Sequence, residues 1–292
     1  MRSMLFVPGD SPRKMEKALG SGADALIIDL EDSVAPAAKD AARETAAAFL
    51  EEQVNEAGRP ALLVRVNALD TGLTQADIDA IVRTRPDGLF LPKAEGGATV
   101  QELHVMMSVA EAHAGIEDGA TGIYAIATET ARGIFTLGTY AHASPRLKGL
   151  TWGAEDLSAD IGAETNRVPG HGATEPFRIA RSMLLFAAAD AGVAAIDTVH
   201  VDFRDLDDLR NECEEARRDG FTAKMAIHPA QVPVINEVFT PSAAEVENAK
   251  TVVAAFSANT GVGVVAIDGK MYDRPHLRRA ERILARAAAG KL

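Results

Sequence analysis

Eight short apolar runs recur along the chain with amphipathic stretches between many of them, and this alternation limits the fold more than any other feature. The runs cover residues 4–8, 25–30, 61–66, 88–92, 123–128, 147–153, 194–199 and 222–227, and segments such as 78–83 and 177–191 lie between them. Short runs rich in branched residues read as buried strands. Strands that alternate with helices read as parallel βα units. Eight units in about 230 residues match the size at which such a sheet closes, so the expected fold is α/β, a (β/α)8 TIM barrel over residues 1–235. A doubly wound open sheet is the rival.

Barrel chemistry lies where the strands end. Read this way, the rim carries Pro8-Gly9-Asp10, Glu31-Asp32, Arg65 with Asn67, Lys93, Glu129, Glu155-Asp156, Asp202 with Arg204, and His228. Glu129 and Asp156 follow the fifth and sixth runs and would project from the same rim. Two acids so placed suit a hard divalent cation such as Mg²⁺, which takes one or two carboxylates and leaves other positions to water and substrate. Each residue also has a plain structural reading. Asp10, Ser11 and Asp32 could cap helices, Arg65 could serve an ion pair, and His228 before Pro229 could be a loop residue. Helix capping does not account for two carboxylates, an Arg and a Lys together at strand ends, so the set favours a site.

With 292 residues, 47% of them hydrophobic, the chain can bury a core of single-domain barrel size. Its 30 basic and 42 acidic residues give a net charge of −12, which argues against nucleic-acid or anionic-membrane partners. Any anionic ligand must meet a local cluster of cations. Cys213 is the single cysteine, so neither an intramolecular disulfide nor a cysteine metal site can form, and a cytoplasmic location is expected. No signal peptide or membrane span is expected, since the apolar run near the start is interrupted at Pro8-Gly9-Asp10 and that at 183–189 stops at Asp190.

After residue 235 the rhythm changes. Ser242 and Glu245 have capping-box spacing, and Val246, Ala249, Val253 and Phe256 form an apolar stripe, which predicts a helix over 243–258. Apolar residues then flank Asp268-Gly269, a pair suited to a two-residue hairpin turn. Pro275 opens a last helix expected to end near Gly290. Residues 236–292 are thus expected to form a helix-hairpin-helix extension, a lid packed on the barrel or on a neighbouring subunit, with Asp273 at the end of the hairpin.

The runs Ser3-Met4-Leu5-Phe6-Val7-Pro8-Gly9-Asp10, Ile28-Asp29-Leu30-Glu31-Asp32-Ser33-Val34, Val64-Arg65-Val66-Asn67, Leu91-Pro92-Lys93, Glu129-Thr130-Ala131-Arg132-Gly133, Gly153-Ala154-Glu155-Asp156-Leu157, Ala226-Ile227-His228-Pro229 and Met271-Tyr272-Asp273-Arg274-Pro275 follow one another in order over nearly the whole chain. Together they resemble the citrate lyase beta subunit and its malyl-CoA and citramalyl-CoA lyase relatives, within the HpcH/HpaI aldolase superfamily. The resemblance implies that Glu129 and Asp156 hold Mg²⁺, with Mn²⁺ as an alternative, and that Glu31 and Asp32 stand just outside them. It further implies that Arg65 binds substrate oxygen, and that Asp273 reaches into the site of an adjacent subunit in a homotrimer or hexamer. Pro8, Gly9, Lys93, Ala154 and Glu155 are candidate substrate contacts, and Lys93 and the helix start at Asp10-Ser11-Pro12 could meet phosphate or carboxylate.

The implied activity is Mg²⁺-dependent cleavage, or formation by Claisen condensation, of a 3-hydroxyacyl-CoA such as malyl-, citramalyl- or citryl-CoA, giving acetyl-CoA and a small 2-keto acid. Alternatives are a citrate lyase subunit acting on a carrier-protein thioester, an aldolase for free 4-hydroxy-2-keto acids, a malate-synthase-like thioesterase, and a barrel without turnover. Pocket shape distinguishes these substrates, and a linear sequence does not display it.

Overall fold

The structure is a computed structural model that describes residues 1–168, 170, 172–259 and 261–289. All eight runs form strands: β1 (Ser3–Pro8), β2 (Ala25–Asp29), β3 (Ala61–Arg65), β4 (Gly88–Leu91), β5 (Gly122–Ile126), β6 (Leu147–Thr151), β7 (Ala194–Asp197) and β8 (Ala223–Ala226). Each pairs in parallel with its neighbours, and the order β1-β8-β7-β6-β5-β4-β3-β2 returns to β1. The sheet is therefore a closed TIM barrel, and the open-sheet alternative falls.

The strands read as unbroken apolar runs because both of their faces are buried. Alternate residues point inward, where Met4, Ile27, Leu63, Phe90, Tyr124, Ile196 and Met225 fill the barrel, with Phe90 stacked on Tyr124 at 5.6 Å. Their neighbours Leu5, Leu26, Ile28, Leu62, Val64 and Leu89 point outward under the helices. Each large buried side chain contributes roughly 1.5–3 kcal/mol, so slipping a strand by one residue would exchange two packed faces at once.

The barrel helices are α1 (Pro12–Leu19), α2 (Lys39–Gln53), α3 (Thr74–Ile81), α4 (Gly97–His113), α5 (Ala131–Thr136), α6 (Ala154–Ile161), α7 (Glu175–Ala191), α8 (Leu206–Asp219) and α9 (Val232–Phe239). At the barrel end where the strands begin, buried Arg146 clamps Glu111 of α4 through bonds of 2.8 and 2.6 Å. This ties α4 to the start of β6, far from the opposite rim. α9 crosses the expected boundary at 235/236 and packs on β1, β8 and α8.

Beyond it, Ser242 and Glu245 complete a reciprocal capping box on α10 (Ala243–Ala258). A hairpin of β9 (Val264–Ile267) and β10 (Lys270–Asp273) follows, turned at Asp268 (φ 47°) and Gly269 (φ 75°), and α11 (Arg274–Ala289) packs on α10. Gly290, where the last helix was expected to end, lies outside the described residues. This segment has its own small core of Ala249, Val252, Phe256, Val265 and Ala280. Arg217 of α8 pairs with Glu245 to link it to the barrel. Among the described residues no helix is long and apolar enough to cross a membrane.

Candidate active site

Strand register builds the site. Asp29 ends β2 directly opposite Arg65, which ends β3. Both side chains meet at the rim, where Arg65 Nε and one terminal nitrogen donate to the two Asp29 oxygens at 2.7 Å each. The backbone N–H groups of Glu31 and Ser33 also donate to Asp29, at 2.9 and 3.0 Å. Burial works to raise the Asp29 pKa, but Arg65 and these N–H groups override it and hold the carboxyl below its usual range. The other Arg65 terminal nitrogen lies 2.9 Å from Glu31 Oε2, and the guanidinium covers the Phe6 ring at 4.9 Å. Arg65 is thus a fixed cation, its fork held by Asp29.

Glu129 follows β5 and is 3% exposed. Its Oε2 accepts the backbone N–H of Lys93 at 2.5 Å. Burial, reinforced by Asp156 and Glu31, pushes its pKa up to about 8. A Cβ on Gly153 would stand 2.5 Å from Glu129 Cγ, so only glycine lets the start of α6 pass behind this carboxylate. Asp156 lies in the first turn of α6 and is partly exposed. Glu31 also has a raised pKa, mainly from burial.

Glu129 and Asp156 line one cavity of about 430 Å³ with Phe6, Pro8, Asp29, Asp32, Arg65, Ala154, Glu155, Val199 and Ile227. Glu129 is a buried carboxyl crowded by further acids with one backbone N–H as its donor, so its ionised form is poorly compensated. The oxygen donors fit a hard divalent ion, with Glu129 and Asp156 as the residues that would hold it.

A model of the family described as HpcH/HpaI aldolase/citrate lyase matches residues 2–229. The chain belongs to this family. A second family model, a C–C bond lyase of the TIM-barrel fold, matches residues 179–290, and the protein is a carbon–carbon lyase. It is 37% identical to citrate lyase subunit beta of Leuconostoc mesenteroides subsp. cremoris, over 100% of this chain and 94% of that protein. To (3S)-malyl-CoA thioesterase of Cereibacter sphaeroides (strain KD131) it is 35% identical, over 99% and 95%. Among solved structures it resembles CitE of Mycobacterium tuberculosis in complex with magnesium, acetoacetate and coenzyme A. There the TM-score is 0.76 and the identity 34%, over 98% of each chain.

Within this family member, the rim residues read from sequence divide into groups. Pro8, Asp32, Arg65, Glu129, Ala154, Glu155 and Asp156 come together around the cavity, while Glu31 and Lys93 join it through ion pairs. Gly9 donates its N–H to Asp29 O at 2.9 Å, and a Cβ there would meet that oxygen, so its place is tight packing behind the rim. Ser11 holds the N-cap position of α1 without a side-chain bond. Asn67 is tied to Asp77 and Leu30 O. Asp202 and Arg204 are exposed, and His228 caps the turn at Pro229–Gln231 and stacks on Phe203 at 4.7 Å. Asp273 is partly exposed on the hairpin and is not among the residues lining the cavity, and His276 Nδ1 at 2.5 Å holds its pKa down.

Asp29 has no role in the sequence reading: an acid inside an apolar run was the one signal, and its place opposite Arg65 emerges only from the strand register. Also absent from that reading is a second cavity of about 230 Å³ beside β7 and β8. There buried Lys224 bonds Asp197 at 2.8 Å and lies 3.2 Å from Glu212, and Trp152 Nε1 donates to Asp197 at 2.8 Å. His200, Asp208 and Glu212 converge within 4.8 Å, but Arg167 and Lys224 already neutralise Glu212.

Proposed function

We propose that the protein is a Mg²⁺-dependent lyase that splits a 3-hydroxyacyl-CoA thioester bearing a carboxylate next to its hydroxyl into an acetyl-type CoA thioester and a 2-keto acid, and that runs the reverse condensation. The observation that carries this reading is the pairing, in one cavity, of two hard oxygen ligands, Glu129 and Asp156, with the rigid cation Arg65. The metal would supply Lewis-acid polarisation of the substrate's hydroxyl and carboxylate oxygens, orienting them and acidifying the hydroxyl. Mn²⁺ satisfies the same donors.

Cleavage passes the hydroxyl proton to a rim base, for which the Glu31 carboxylate is in place, converts that carbon to a ketone and breaks its bond to the neighbouring methylene, whose electron pair becomes the enolate of the leaving thioester. Arg65, locked by Asp29, meets the enolate oxygen without reorganising. Removing such a donor costs about 3 kcal/mol in the transition state. Asp273 of an adjacent subunit protonates the enolate carbon, or deprotonates the acetyl methyl in reverse. Glu31 and Asp32 orient water and substrate around the ligands. The lyase reading is supported by family membership, and the thioester by relatives named for citrate lyase and malyl-CoA chemistry.

The test mixes acetyl-CoA or propionyl-CoA with glyoxylate, pyruvate or oxaloacetate in the presence of Mg²⁺, followed by mass spectrometry. A reversible adduct thioester supports the lyase and names the keto acid. Adduct followed by free CoA transfers the assignment to a thioesterase. Turnover confined to a carrier-bound thioester or a free hydroxy-keto acid removes CoA from the reading.

A further inference from the structure

The acid cluster already contains a positive charge of its own. Lys93 Nζ lies 2.5 Å from Glu31 Oε1, 3.5 Å from Asp156 Oδ1 and 4.0 Å from Asp32 Oδ2. The same residue donates its backbone N–H to Glu129, so it addresses the cluster from two directions. Its φ of 49° is in the left-handed region that non-glycine residues avoid, a conformation kept at functional sites when surrounding contacts demand it.

The two cations of the rim differ in kind. Arg65 is bound through both edges of its fork and is nearly buried. Lys93 is a compact charge on a flexible stem, and its side chain is about a third exposed. It touches Asp156, one of the two residues assigned to the divalent ion, and a second positive charge entering there repels it strongly.

We infer that Lys93 is the resident counter-ion of this cluster, that it withdraws when the divalent ion binds, and that this exchange sets the metal affinity. The inference rests on the reading of Glu129 and Asp156 as ligands. In the metal-free protein the ammonium keeps Glu31, Asp32 and Asp156 from repelling one another. In the loaded protein the ion takes over that task, and the freed ammonium is available to an anionic substrate group at the cavity mouth.

Mn²⁺ is titrated into EDTA-stripped full-length protein and free Mn²⁺ is followed by electron paramagnetic resonance, for wild type, Lys93→Met, Lys93→Gly and Glu129→Gln. The expected result is at least tenfold tighter Mn²⁺ binding in both Lys93 variants. Their melting temperature is lowered without metal and returns to the wild-type value or above at saturating Mn²⁺. Lys93→Gly relieves the left-handed backbone and decides the matter if Lys93→Met fails to fold. Tightening of less than tenfold, or any weakening, overturns the inference while Glu129→Gln still loses binding. Wild-type affinity in Glu129→Gln overturns the ligand reading, and the Lys93 inference with it.

Discussion

Asp29 illustrates how a residue without a chemical step can decide one. Its carboxylate is almost fully enclosed and satisfied by four donors, two of them on Arg65. Asp29→Ala leaves a buried guanidinium half-paired and is expected to lower unfolding free energy by about 3–5 kcal/mol, read from urea denaturation. Glu129 gives a pH prediction. Its folded-state pKa of about 8 exceeds the ordinary carboxyl value, so the folded state holds the proton more tightly than the unfolded chain. Glu129's own contribution to metal-free stability is therefore fully present below about pH 4.5 and is lost as pH rises to 8, by at most about 5 kcal/mol. Asp29 is held below its usual range and does not oppose this trend in that window. Urea midpoints in EDTA at pH 5.5 and 8 check the fall, which Glu129→Gln should flatten. The rim acids and Arg65 were legible in the sequence because polar residues ending apolar runs stand out. Asp29 was not, because it sits inside the run and only the register reveals its partner. The direction of the Lys93 side chain was equally hidden, since it depends on a backbone angle.

Elements carry the site through close approach. The turn between β6 and α6 can run behind Glu129 only while residue 153 lacks a Cβ. Gly153→Ala should weaken Mn²⁺ binding by tenfold or more, measured by calorimetry, and cost about 1–3 kcal/mol of stability from overpacking. The eight strands were readable because burial on both faces leaves an unmixed apolar signal. The capping box at Ser242 and Glu245 and the turn at Asp268-Gly269 were readable because their chemistry is local. Clamps such as Arg146 with Glu111 were not, since two charged residues 35 positions apart show no link until the barrel joins them.

At the scale of the whole molecule, the acidic rim and Asp273 belong to segments with separate cores. The 242–289 segment surrounds its own small core and carries Asp273, which does not line the cavity of the same chain, two residues after highly exposed Met271. If Asp273 serves a neighbour, mixed assemblies of Asp273→Asn and Glu129→Gln subunits should regain activity that neither variant has alone. In a statistical trimer about a quarter of wild-type turnover or less is expected, measured after co-refolding. The first three residues of β1 pair with β8 about 220 positions later, and Arg2 and Ser3 bond Thr240 and Asn236. Closure therefore waits for nearly the entire barrel sequence to be present. The seam between β1 and β8 is the most distant contact the sheet must find, which places this protein among slow folders whose half-made sheet exposes two bare edges. A growing chain would have to be shielded from its neighbours until those edges meet.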